Sequence, residues 1–201
     1  MNFVAHLILA GDDEDLQLGA MLGDFVRGKA ALNRFDAGIR SGIMLHRHID
    51  AFTDTVPGVV GLRERFVAPY RRYAGIIIDL AFDHELVSHW GNYSEVSIHQ
   101  FDQDLRNLLA RHQSLLPPGL ISFMRYADRR GLFASYRHEA EILRSLRGIS
   151  RRLSRPNPLG RVDEIWPEIK PLVAAAFETA FRQIQSEVDE WLKSKSTMTG
   201  S

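Results

Sequence analysis

Apolar residues recur at helical spacing through nearly the whole chain, and no stretch reads convincingly as a strand. Asn2 suits the N-cap of a first helix carrying Phe3, Leu7 and Ala10, which the Gly11-Asp12-Asp13 break ends. A second helix from about Asp15 carries Leu16, Leu18, Met21 and Leu22 and closes towards Gly28, a suitable C′ residue. A long helix from about Phe35 to Thr53 is stopped by Val56-Pro57-Gly58. Leu62, Phe66 and Tyr70 form the apolar side of a shorter helix, with Arg63, Glu64 and Arg65 turned outward. From Gly75 to near Trp90, Ile76-Ile77-Ile78 alone could be a strand. The continuation is too long and too regular at 3.6 spacing, so the expectation is a buried helix.

Ser97 with Gln100 resembles a capping box ahead of Phe101, Leu105, Leu108 and Leu109. Beyond Pro117-Pro118-Gly119, Leu120, Phe123 and Met124 mark a helix to about Arg130. A two-faced helix from about Phe133 to Leu153 sets Leu143, Leu146 and Leu153 against Arg144, Arg147, Arg151 and, beyond its end, Arg155. A last helix starts at Val162 or Asp163 and extends towards Leu192, with Pro167 and Pro171 in its first turns or kinking it, and Lys193–Ser201 is expected to fray. The pattern predicts an all-α protein, a single-domain helical bundle over residues 1–192.

Composition narrows the class. A chain of 201 residues with 45% hydrophobic and 25% charged residues is that of a globular domain. With no cysteine, disulfides and thiolate metal sites are excluded. The first residues lack the basic region of a signal peptide, and no apolar run approaches the roughly 20 residues that span a bilayer. A cytoplasmic protein is expected, with neither nucleic acid nor membrane as partner. The zero net charge hides an asymmetry: residues 125–161 contain ten arginines, no lysine and three acids, a net charge of +7. Such a segment suits an acidic partner or substrate, although a solvated helix face has the same look.

The candidate chemistry lies where polarity and periodicity disagree. His46, Asp50 and Asp54 form an i, i+4, i+8 row beside Leu45, Ile49 and Phe52. Asp79 and Asp83, followed by His84, share a helix too apolar to hold unpartnered acids. His6 shares the apolar face of the first helix, and Asp24 stands three residues before Arg27 at a helix end, where an ion pair is the simpler account. If these residues converge, each close carboxylate pair costs about 4 kcal/mol at 4 Å and a dielectric near 20. A divalent cation relieves that repulsion, and oxygen and imidazole donors without sulfur favour Mn2+, Mg2+ or Fe2+ over structural zinc. Such a site is equipped for phosphoester hydrolysis.

Met1-Asn2-Phe3-Val4-Ala5-His6-Leu7, Gly23-Asp24-Phe25-Val26-Arg27-Gly28, His46-Arg47-His48-Ile49-Asp50 with Thr53-Asp54, and Asp79 with Asp83-His84 and Trp90 together resemble the acyl carrier protein phosphodiesterase family. The resemblance extends to Tyr136-Arg137 and Ser150-Arg151-Arg152, nearly the whole chain. It implies an HD-phosphohydrolase-like helical fold and use of Mn2+. It also implies hydrolysis of the phosphodiester that joins phosphopantetheine to a serine of holo acyl carrier protein. The reversed doublet Asp83-His84 departs from the His-Asp order of HD proteins, so individual ligand roles stay open.

His6, Asp24, His46, Asp50, Asp79, Asp83 and His84 form the candidate metal-ligand pool, more than one ion needs, so some are supporting or acid–base groups. Asp54 and Arg27 are candidates for orienting water and contacting phosphate, and Arg144, Arg147 and Arg151 for docking the acidic carrier protein. Two rival readings stand beside this one: a phosphohydrolase of a small nucleotide or other diester, and a carrier-protein-binding module without catalysis.

Overall fold

The structure, a computed structural model, describes residues 3–129 and 131–199, without the side chains of residues 132 and 196–199. Asn2, the expected cap of the first helix, lies outside the described residues, as do Arg130, Gly200 and Ser201. Among the described residues there are helices and turns and no strand, as the apolar spacing predicts. The α-helices are α1 (Phe3–Leu9), α2 (Glu14–Leu22), α3 (Ala37–Thr53), α4 (Pro57–Glu64) and α5 (Ala74–Ser88). They continue as α6 (Ile98–Arg111), α7 (Pro118–Asp128), α8 (Glu139–Arg152) and α9 (Trp166–Thr199), with short 3₁₀ segments between.

α5 is the axis of the bundle. Ile77, Ile78, Leu80, Ala81, Phe82, Leu86 and Val87 are buried around its whole circumference, and a helix apolar on all sides is stable only inside. The isoleucine run therefore belongs to a helix, as its length suggests. α1, α4, α8, α9 and the 3₁₀ segment Leu132–Arg137 pack around it.

α2 and α3 form the most intimate pair, because Gly19 and Gly42 meet across it. A Cβ built on Gly19 would lie 2.5 Å from Gly42 Cα, and one on Gly42 would lie 2.6 Å from the Leu16 carbonyl oxygen. Only glycine permits this backbone approach. Asp13 caps α2 by accepting from the Leu16 amide at 3.0 Å, and Ser97 caps α6 by accepting from the Gln100 amide at 3.2 Å.

Several boundaries differ from the sequence expectation. Pro57 opens α4 as well as ending the preceding segment, because its missing N–H costs nothing in a first turn. α4 ends at Glu64, so Phe66 and Tyr70 are buried beyond it, and the Tyr70 hydroxyl donates to the Arg161 carbonyl at 2.9 Å. The two-faced helix starts at Glu139, because residues 132–137 form a 3₁₀ segment whose Phe133 and Ala134 amides donate to buried Asp102. The last helix starts at Trp166, with Pro167 in its first turn and Pro171 inside it, and its backbone continues past Leu192 to Thr199.

Candidate functional site

α1 and α3 each turn one imidazole into the same small space. His6 is fully buried on α1, and His46 is 3% exposed on α3. Their rings stack with centroids 3.8 Å apart and planes 13° from parallel. Asp50, one turn beyond His46, spans both: Oδ1 lies 3.1 Å from His6 Nε2 and Oδ2 lies 3.3 Å from His46 Nε2. Asp24, just past the end of α2, adds Oδ1 at 3.4 Å from His46 Nε2. It turns to the histidine and away from the ion pair with Arg27 that its spacing allowed. Gly23 makes room for this arrangement, since a Cβ there would stand 2.2 Å from His46 Cγ.

The protonation pattern follows from the packing. Burial penalises a charged His6, the neighbouring His46 adds to the effect, and its pKa falls to about 4. Burial also opposes charge on His46, but hydrogen bonds to Asp24 and Asp50 overcome it and raise its pKa to about 9. Desolvation works against ionisation of Asp50 and Asp24, yet their histidine partners hold both carboxyls below the usual range.

The donor set fits a divalent cation. One ligand atom each from His6, His46 and Asp50 lies within 4.8 Å of the others. His46 Nδ1 lies 2.9 Å from the Ala20 carbonyl, an acceptor that can only take a proton, so Nδ1 carries the hydrogen. In the neutral ring Nε2 is then bare and turned towards the carboxylates, the arrangement that prepares an imidazole for a metal.

An open cleft leads to this cluster. It is lined by Asp24, Asp50, Asp54, Arg63, Gly75, Ile76, Asp79, Leu80 and Ile149. Asp54 ends α3, half-exposed, and its Oδ1 accepts from Arg63 Nη2 at 2.5 Å. Asp79 enters from α5, and burial raises its carboxyl pKa. Arg63 is the departure from expectation: it belongs to the cleft wall and does not turn outward with Glu64 and Arg65. Its place depends on α4 crossing the start of α5, where Arg63 Nη2 is 3.3 Å from a Cβ built on Gly75, and the solvated look of Arg63-Glu64-Arg65 hides that contact. The faint signal in the sequence is Asp54, nine residues earlier, across the turn at Pro57.

Other expected residues are placed elsewhere. Asp83 is fully buried and accepts from the Val4 and Ala5 amides, both at 3.1 Å, with one oxygen each. It caps α1 and is neither among the cleft residues nor in the His6–His46–Asp50 group. Burial, partly offset by those amides, raises its pKa to about 7. His84 Nδ1 lies 2.8 Å from the Tyr136 carbonyl, and its ring approaches Trp166, outside the cluster. Arg27 is exposed after α2 and is not among the cleft residues. His48 pairs with Glu187 of α9 at 2.8 Å.

Arg144 and Arg147 are partly exposed on α8, paired with Glu141 at 2.6 Å and Asp163 at 3.4 Å, and Arg151 is exposed. Ile149 of the same helix lines the cleft, so the basic helix borders it.

The family model for acyl carrier protein phosphodiesterase matches residues 1–187. The chain belongs to the acyl carrier protein phosphodiesterase family. An acyl carrier protein phosphodiesterase of Yersinia pestis is 30% identical over 190 residues, 92% of this chain and 98% of that protein. One of Escherichia coli O157:H7 is 34% identical over 184 residues, 91% and 93% of the two chains. A Serratia proteamaculans protein of the same description is 39% identical over 119 residues, 59% of this chain and 61% of its own. No solved structure matches.

Proposed function

We propose that the protein hydrolyses the phosphodiester linking phosphopantetheine to a serine of holo acyl carrier protein. Water adds to phosphorus, the phosphorus–serine oxygen bond breaks, the serine oxygen takes up a proton, and apo carrier protein and free phosphopantetheine result. The observation that carries this reading is the stacked His6–His46 pair bridged by Asp50 at the base of a cleft, in a chain matched along residues 1–187 by this family.

In this reading His6, His46 and Asp50 hold a divalent cation, Mn2+ by preference, with Mg2+ and Fe2+ as the alternatives for such donors. When bound, the cation supplies a Lewis acid for a phosphoryl oxygen and a lowered pKa for water. Asp24 orients His46 from one side, while Ala20 fixes its tautomer from the other. Asp79 supplies a further carboxylate from α5 to the cleft wall. The kinship with HD phosphohydrolases is part of the proposal, supported by His and Asp side chains drawn from separate helices of an all-α fold.

The carrier protein is expected to dock on α8. Arg144, Arg147 and Arg151 would meet its acidic surface, and Ile149 sets that face beside the cleft into which the phosphodiester must reach. No described helix is long and apolar enough to cross a membrane. The deciding experiment incubates the protein with holo acyl carrier protein, with and without Mn2+, and follows loss of the phosphopantetheine mass. An intact holo carrier protein under both conditions would refute the activity, and equal cleavage after rigorous chelation would refute the metal.

A further inference from the structure

We infer that Arg63 is the residue that grips the phosphodiester, with Asp54 serving as the clamp that holds its guanidinium at the cleft edge; this rests on the phosphodiesterase reading above. Among the described residues the cleft is lined by four aspartates, Asp24, Asp50, Asp54 and Asp79, and by one cationic side chain, Arg63. A phosphodiester is an anion, and each carboxylate at 4 Å repels it by about 4 kcal/mol at a dielectric near 20. The cation of the reading above would offset part of that repulsion at the His6–His46–Asp50 end, and Arg63 adds positive charge at the other wall, beside Asp54. Arg27, the residue that sequence order suggests for the task, is not among the cleft residues.

Arg63 has the required placement and spare capacity. Nη2 donates to Asp54 Oδ1 at 2.5 Å, which fixes the plane of the guanidinium. The end of the side chain lies over Gly75, where Nη2 is 3.3 Å from a built Cβ, so a larger residue at 75 would press on it. Nε is buried with no hydrogen-bond acceptor, although a guanidinium presents five donors in a fixed fork. Buried Nε is out of reach of an incoming oxyanion, but the side chain is 36% exposed, so the outer N–H groups of the fork can meet phosphoryl oxygens from the cleft. Asp54 is then a positioning residue, placed at the end of α3 to preorganise Arg63.

The test uses Arg63→Met, which keeps the apolar stem, and Arg63→Lys, which keeps the charge without the fork. Both are assayed on holo acyl carrier protein and on bis(4-nitrophenyl) phosphate, with Mn2+ binding followed by calorimetry and helix content by circular dichroism. Arg63→Met is expected to lose about 100-fold or more in kcat/KM on both substrates with unchanged Mn2+ affinity, and Arg63→Lys to fall between it and the wild type. Wild-type kcat/KM in a folded Arg63→Met or Arg63→Lys overturns the inference, as does a loss of Mn2+ affinity that parallels the loss of rate. A wild-type protein that cleaves the small diester with this Arg63 dependence but leaves the holo carrier protein intact overturns the substrate assignment and leaves Arg63 in place. One inactive on both overturns the reading itself.

Discussion

His6 and His46 stack 3.8 Å apart with Asp50 reaching both Nε2 atoms. Two imidazoles cannot both carry charge at that distance, and the packing separates them: His6 is held neutral while His46 takes the proton between Asp24 and Asp50. In the metal-bound reading, a cation held among them would replace that proton. Mn2+ should therefore raise the melting temperature, with about 2.7 kcal/mol of stabilisation once free metal exceeds its Kd a hundredfold. His46→Ala should abolish both the thermal shift and the calorimetric binding. A shift of wild-type size in His46→Ala would remove the histidine pair from the metal site.

Gly23 offers a test that leaves every polar group in place. A methyl there would overlap the His46 ring, 2.2 Å from Cγ. Gly23→Ala should displace the ring, weaken Mn2+ binding and cost about 1–3 kcal/mol through overpacking. Gly61 and Gly148 lie in α4 and α8 with nothing within 4 Å of a built Cβ, so alanine at either should be neutral or slightly stabilising. Comparison of the three variants by urea denaturation and calorimetry checks the claim, and an unaltered Gly23→Ala protein would contradict the close approach.

Much of this site is legible in the sequence because helical periodicity carries direction. The His46–Asp50 row and the apolar surroundings of Asp79 are visible in one dimension, and both lead to the cleft. What periodicity cannot tell is which neighbour a buried acid meets. Asp79 and Asp83 share a face of α5, yet one lines the cleft and the other caps α1, since the two positions face different neighbours. Arg63 is hidden for the same reason: α4 delivers it to the cleft only by packing on α5. The Pro57 boundary misleads because proline ends one helix and begins another equally well.

The capping role of Asp83 has a pH signature. Its pKa is raised from 3.8 to about 7 in the fold, so between those values the native state binds more protons than the unfolded chain. Its contribution to stability is fully present below about pH 4 and is lost as pH rises through 7. The urea midpoint of the wild type, measured without metal, should therefore decline from pH 5 to 8 relative to that of Asp83→Asn, which does not titrate. Asp83→Ala leaves the Val4 and Ala5 amides without acceptors and should cost about 1–3 kcal/mol or more, with Mn2+ affinity retained if the helix stays docked. Parallel pH profiles for wild type and Asp83→Asn would refute the titration.

The basic face of α8 makes a prediction that separates docking from chemistry. Arg144 and Arg147 are about 40% exposed and already paired within the chain, to Glu141 and Asp163, and exposed pairs of this kind contribute roughly 0–1 kcal/mol each. Reversing them is therefore cheap for the fold and informative for the partner. Arg144→Glu, Arg147→Glu and Arg151→Glu together should lower kcat/KM on holo acyl carrier protein by about 10- to 100-fold, mainly through association. Turnover of bis(4-nitrophenyl) phosphate, which needs no protein contact, should stay near wild type. The wild-type rate on the carrier protein should also fall steeply as ionic strength rises and the Debye length shrinks from about 10 Å at 0.1 M salt, while the reversed variant responds weakly. Equal losses on both substrates would place α8 in the chemistry of the cleft, and no loss on either would leave its arginines as a solvated face.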